Sequence, residues 1–233
     1  VLGAALFSKA NDRSFPLPIL QAKFVLPSNT ELWLEKDRDW ERPVETTVCI
    51  ADAFNMVLEG RRIGLHHTEF GFATVVAAVL CHICSFEYLA GTLHSELYAA
   101  FVEKMDRSVR VLRDTWREHP SGQLPIESTM TSMAHLTRSL MLSIGFHLYA
   151  SHHLAVMKRL YQFPELLDSQ ASLEDNFGGY STTLDKALVM AAEMFKSDCQ
   201  TGLGYVSSIG HVRFGPMSII AGYEGGKSRI FHA

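Results

Sequence analysis

This sequence is poor in the patterns that announce an enzyme. Its 233 residues contain no glycine-rich phosphate loop and no G-x-S-x-G elbow, so nucleotide-dependent and serine-hydrolase chemistry have no support. No Glu-x-x-His motif occurs, and a di-metal carboxylate bundle would want two. Basic residues are not concentrated anywhere: 21 Lys and Arg are scattered among 25 Asp and Glu, for a net charge of −4. A DNA-reading module shows a clustered basic face, so no dedicated nucleic-acid surface is expected within this stretch. Cysteine is scarce. Cys49, Cys81, Cys84 and Cys199 stand at spacings that suggest no disulfide framework. A chain of this length buries a core without staples, which favours reduced thiols in a cytosolic or nuclear compartment. The opening "VLGAALFSKANDRSFP" has no basic n-region and no clear cleavage site, so no secretory signal is expected and the chain reads as a piece of a longer protein.

What is present is an ordinary globular composition, 47% hydrophobic and 20% charged, arranged mostly at helical spacing. Residues 1–43 hold Pro16, Pro18, Pro27 and Pro43 and little periodicity, so a short helix remnant followed by extended and turn structure is expected. In "TTVCIADAFNMVLEG" Val48, Ala51, Phe54, Val57 and Leu58 recur helically, and Gly60 supplies a stop. A second helix is expected over 67–90. A third, over 93–118, carries an apolar stripe of Leu93, Leu97, Phe101, Met105, Val109, Leu112 and Trp116, with Glu103, Lys104, Asp106, Arg107 and Arg110 on a solvated face. A fourth spans 126–163, with Gly145 as a candidate kink. A fifth begins at Thr182, with Asp185 as the partner of a capping box and Leu184, Leu188, Ala191, Ala192 and Phe195 as its stripe. Residues 200–233 form a glycine-rich tail of uncertain structure. The fold class is therefore all-α, an irregular multi-helix bundle, with residues 1–199 as one helical domain.

The residues able to carry chemistry each have a plainer reading. Cys81-His82-Ile83-Cys84 is a C-x-x-C, but a zinc ribbon needs a second pair or two histidines, and a redox pair opens a helix after a strand. Inside an apolar helix it reads as core. His66, His67 and Glu69 form one His-rich spot, and "HLYASHH" from His147 to His153 forms another. His147 and His152 are five apart, about 140° around a helix, so they cannot share one ion on an unbroken helix. Glu87 and Glu96 lie on or near helices, and His94-Ser95-Glu96 runs in the wrong order for a di-metal motif. Arg138, Lys158 and Arg159 could line a pocket for an anionic ligand, although a solvated helix face is the stronger reading. The run "FGFATVVAAVLCHICSF", Phe70 to Phe86, nears the length of a membrane span. The two glutamates that close it and the absence of a basic flank favour a buried central helix over a membrane anchor.

One stretch stands apart. "LPSNTELWLEKDRDW" holds two of the chain's three tryptophans, too aromatic for a solvated loop and too polar for a core strand. Pro27 biases Leu26 to an extended form. Leu32 and Trp33 then face inward, and Trp40 packs as a second anchor. The spacing Leu26-Pro27, Leu32-Trp33, Trp40 resembles a segment in the regulatory domain, or middle homology region, of fungal-specific transcription factors. The resemblance covers roughly residues 11–199, and "LRDTWRE" and "FHLYASHH" fit its later helices.

The resemblance implies an all-α regulatory domain with an extended lid and no catalysis. It implies a nuclear protein controlling transcription, with no cofactor in this chain. Zinc and DNA contact belong to a module this chain does not contain, either a six-cysteine cluster or paired zinc fingers. Protein co-regulators or a small-molecule effector are the implied partners, and no membrane. The competing expectation is a helical metal-dependent enzyme.

Overall fold

The computed structural model describes residues 21, 23–26, 48–64, 68–90, 95–123, 132–162 and 182–201. Helix α1 (Ile50–Leu58) starts where Cys49, extended at φ −75° and ψ 156°, turns its sulfur back to accept the Asp52 N–H at 3.4 Å. The thiol donates to the Asp52 carboxylate at 3.0 Å, and that charge sits in the first turn, where the helix dipole favours it. Val48, read from sequence as a helical position, is instead extended: its carbonyl accepts the Leu26 N–H at 3.0 Å. At the far end Gly60 takes φ +76°. Its N–H donates to the Val57 carbonyl at 3.0 Å and the Arg61 N–H to Met56 at 2.8 Å, closing the helix as a Schellman motif. A Cβ at Gly60 would meet nothing within 4 Å, so only backbone strain opposes a side chain there. Gly60→Ala is expected to cost about 1–2 kcal/mol, read as a lower denaturant midpoint with an unchanged slope.

Helix α2 (Glu69–Ala90) is capped by Thr68, whose hydroxyl accepts the Gly71 N–H at 3.0 Å. Between Gly71 and Ile83 every residue is buried except Thr74 and His82, which are half-buried. A helix apolar on all sides belongs in the middle of a core. Here it packs chiefly against α4 (Ser132–Gln162) and also against α1. The stretch Glu69–Phe86 is long and apolar enough to cross a membrane, yet within this fold neighbouring helices cover most of it.

Helix α3 (Ser95–Glu118) is amphipathic as its pattern requires: Met105, Val109, Leu112 and Trp116 are buried, while Glu103, Lys104, Arg107 and Arg110 are exposed. Two positions depart from the pattern. Leu97 is 59% exposed, and Asp106 is half-buried. A 3-10 turn, Pro120–Gly122, follows.

Helix α4 runs unbroken through Gly145, so the expected kink does not form. Gly145 instead admits α5 (Thr182–Thr201): a Cβ there would lie 2.9 Å from the Met190 sulfur and 3.0 Å from Nη2 of Arg113. This close approach sets the register of α5, which buries Ala187, Ala191 and Met194 and leaves Ala192 exposed, a shift from the stripe expected. Thr182 is the first helical residue, so Asp185 is not the N3 partner of a Thr182 cap.

Among the described residues the architecture is all-α, five helices with no strand, and a single antiparallel bridge joins Val25 to Cys49. Residues 202–233, nearly all of the glycine-rich tail, lie outside the described residues.

Candidate functional site

The extended entry to the Leu-Pro segment is visible as far as Leu26. The Leu26 N–H donates to Val48 at 3.0 Å and the Ile50 N–H donates to Phe24 at 2.9 Å, so the segment lies antiparallel to the residues that enter α1. Leu26 is 3% exposed and joins the core cluster that contains Ile50, Phe54 and Val57. Pro27, Leu32, Trp33 and Trp40 lie outside the described residues.

The histidines and cysteines occupy packing positions. Cys81 is buried, and burial pushes its thiol up to about 11, which suppresses the thiolate at neutral pH. Cys84 is half-buried against the same core, and all four cysteines are free thiols. His82 lies edge-on to Phe54 at 5.7 Å and tilted against Phe101 at 5.7 Å. Burial, and then the charge of Lys104, lowers its pKa. Burial and Arg138 do the same to His135. His147 is buried and His153 half-buried, both on α4. Glu96 is exposed. His66, His67 and His94 lie outside the described residues, as do the side chains of Glu87, His152, Lys158 and Arg159. No group of three or more His, Cys, Asp or Glu placed to hold a metal occurs among the described residues.

Where α3 ends, an aromatic clasp ties it to the start of α2. Trp116 stacks on His119 at 5.3 Å, and Phe72 lies against both, at 5.3 Å and 6.3 Å. His119 Nδ1 accepts the Ser121 N–H at 3.2 Å, and the Ser121 hydroxyl donates to Glu69. In this geometry the Ser121 hydroxyl serves the carboxylate and the imidazole serves a backbone N–H. The arrangement is a cap, not a nucleophile with its base. Arg62 adds a bond to Glu118 at 2.6 Å on the exposed side.

A second polar group forms where α3, α4 and α5 meet, and sequence reasoning missed it. The buried Tyr149 of α4 donates its hydroxyl to Asp106 of α3, and Arg110, one turn on, donates to the same carboxylate at 2.5 Å. Burial by itself would raise the Asp106 carboxyl. The bonds from Tyr149 and Arg110, with the charges of Arg110 and Lys186, outweigh it and hold the carboxyl below its ordinary range. Burial and the neighbouring carboxylate push the Tyr149 phenol up to about 12, so the Tyr149–Asp106 bond keeps its proton on the phenol. Lys186 of α5 places its ammonium 5.1 Å over the Tyr149 ring, a cation–π contact. Arg113 reaches across to the Met190 thioether at 2.9 Å. The one sequence signal was Tyr149 itself, set between Leu148 and Ala150, since a tyrosine needs a partner for its hydroxyl when buried. Compared with protein-family models, with curated proteins and with solved structures, the chain finds no match.

Proposed function

We propose that this chain is a regulatory domain of the kind found in the middle of fungal transcription factors. It controls transcription by holding or releasing segments that bind DNA and activate. What supports the reading is the Leu-Pro, Leu-Trp, Trp segment in a chain that folds all-α, with the first residue of that segment, Leu26, buried beside the start of α1. On this reading the domain is nuclear and has no catalytic step. Its partners are co-regulators or a small effector, and zinc and DNA contact belong to a module outside this chain.

The test is a reporter assay in fungal cells. The chain is fused between a heterologous DNA-binding module and a strong activation segment, and output is compared with the same fusion lacking the chain. Output is expected to fall several-fold and to recover when Leu26→Asp undocks the segment. Equal output from the two fusions, at equal protein level, would sink the reading.

A further inference from the structure

The group at the junction of α3, α4 and α5 is unbalanced in charge. Arg110 and Lys186 act on the one carboxylate, Asp106, and Arg110 and Arg113 on the Tyr149 phenol bonded to it. Asp106 is already engaged by Tyr149 and Arg110. Arg113 is half-buried, and a guanidinium out of water needs an anion or several good acceptors. Among the described residues it has the Met190 sulfur at 2.9 Å, a weak acceptor, and forms no ion pair. Arg113 and Met190 fit here because residue 145 is glycine: a Cβ there would stand 2.9 Å from the Met190 sulfur and 3.0 Å from Nη2 of Arg113. Lys186 is exposed, and its contact with the Tyr149 ring is a cation–π contact that does not neutralise its charge.

We propose that Arg113, Arg110 and Lys186 form a binding site for a small anion with a carboxylate or phosphate head, at the junction of α3, α4 and α5. The guanidinium of Arg113 leaves the thioether and grips two oxygens of the head in a fork, the geometry at which arginine excels. Lys186 adds a point charge from α5, and Arg110 one from the exposed side of α3. Asp106 and Tyr149 do not touch the anion. Their bond fixes α3 to α4 and so sets the spacing of the cations. Because the charges come from two helices that both lean on α4, an anion here ties α5 to α3. The site stands on anion binding alone. Its use as an effector site rests on the regulatory reading above, which the reporter assay tests separately.

The experiment is calorimetric titration of the chain with inorganic phosphate and, in a separate arm, with succinate, at an ionic strength held constant with chloride. Saturable binding of at least one probe is expected, and the stronger arm identifies the head. Arg113→Gln is expected to weaken that binding by about tenfold or more, as loss of a charge-assisted pair does. Lys186→Gln is expected to weaken it by a smaller factor. Arg117→Gln, which removes an exposed arginine 3.4 Å from Asp114 on the same helix, is expected to leave it unchanged. Should Arg113→Gln fail to fold by circular dichroism, the exposed Lys186 decides. Absence of saturable binding in both arms overturns the proposal, as does wild-type affinity in the folded charge variants.

Discussion

Phe72→Ala is expected to lower the free energy of unfolding by about 3–5 kcal/mol. Phe72 is 1% exposed and lies in the first turn of α2, against Trp116 and His119 at the end of α3. Removing the ring deletes apolar contact on both helices and leaves a cavity between them. The size of the cost depends on whether the site can collapse, and here collapse is obstructed. The turn beyond His119 is already as close to α3 as it can come: a Cβ at Gly122 would stand 1.8 Å from the Trp116 carbonyl oxygen. His119 is further held by the Ser121 N–H, and Ser121 by Glu69. Denaturant unfolding of the variant measures the loss. A cost below about 1 kcal/mol would mean that the clasp relaxes into the gap and that Phe72 is not its centre.

Leu26→Ala is expected to cost about 2–5 kcal/mol, toward the lower end, because the segment can leave its seat instead of keeping an empty one. Among the described residues, Leu26 is the buried member of a stretch, 23–26, joined to the residues entering α1 by two backbone hydrogen bonds, and its neighbours Phe24 and Val25 are 76% and 56% exposed. Two such bonds and one buried side chain hold less than a core helix does, so the described stretch is expected to open locally before the core. Amide hydrogen exchange separates the two kinds of loss. Protection at Leu26 and at Ile50, whose N–H groups bond across the bridge, is expected to fall in the variant before protection in α2 changes. If α2 loses protection in step with Leu26, the segment is part of the cooperative core and not a unit that can be released.

The helices were legible because their causes are local. The spacing of Phe54 and Val57, the unbroken apolar run of α2 and the one-sided stripe of α3 each place apolar residues on a helical period, and Gly60 fits the left-handed stop that follows α1. The reading of Cys81 as a core residue followed from the same run, and its burial agrees. Val48 was misplaced for a non-local reason: the backbone N–H that its carbonyl accepts belongs to Leu26, beside the bridge that joins Val25 to Cys49.

The polar junction shows the same limit more sharply. Asp106 and Arg110 satisfy every local criterion for a solvated face, and an i,i+4 pair between them is all that their helix reveals. The Tyr149 hydroxyl that half-buries Asp106 is 43 residues away, and the Met190 sulfur beside Arg113 is 77 residues away. Gly145 carried a local meaning, a candidate kink, that the fold replaced with a packing one, a close approach of Met190 from α5. Helix type and the buried character of α2 were fixed by residues within a few turns of one another, since periodicity acts through the chain's own backbone. The register of α5, the exposure of Leu97 and the gathering of three cations around the Tyr149–Asp106 pair were settled only by which helix faces met. Distances between residues far apart in sequence depend on every helix between them, and no local spacing encodes them.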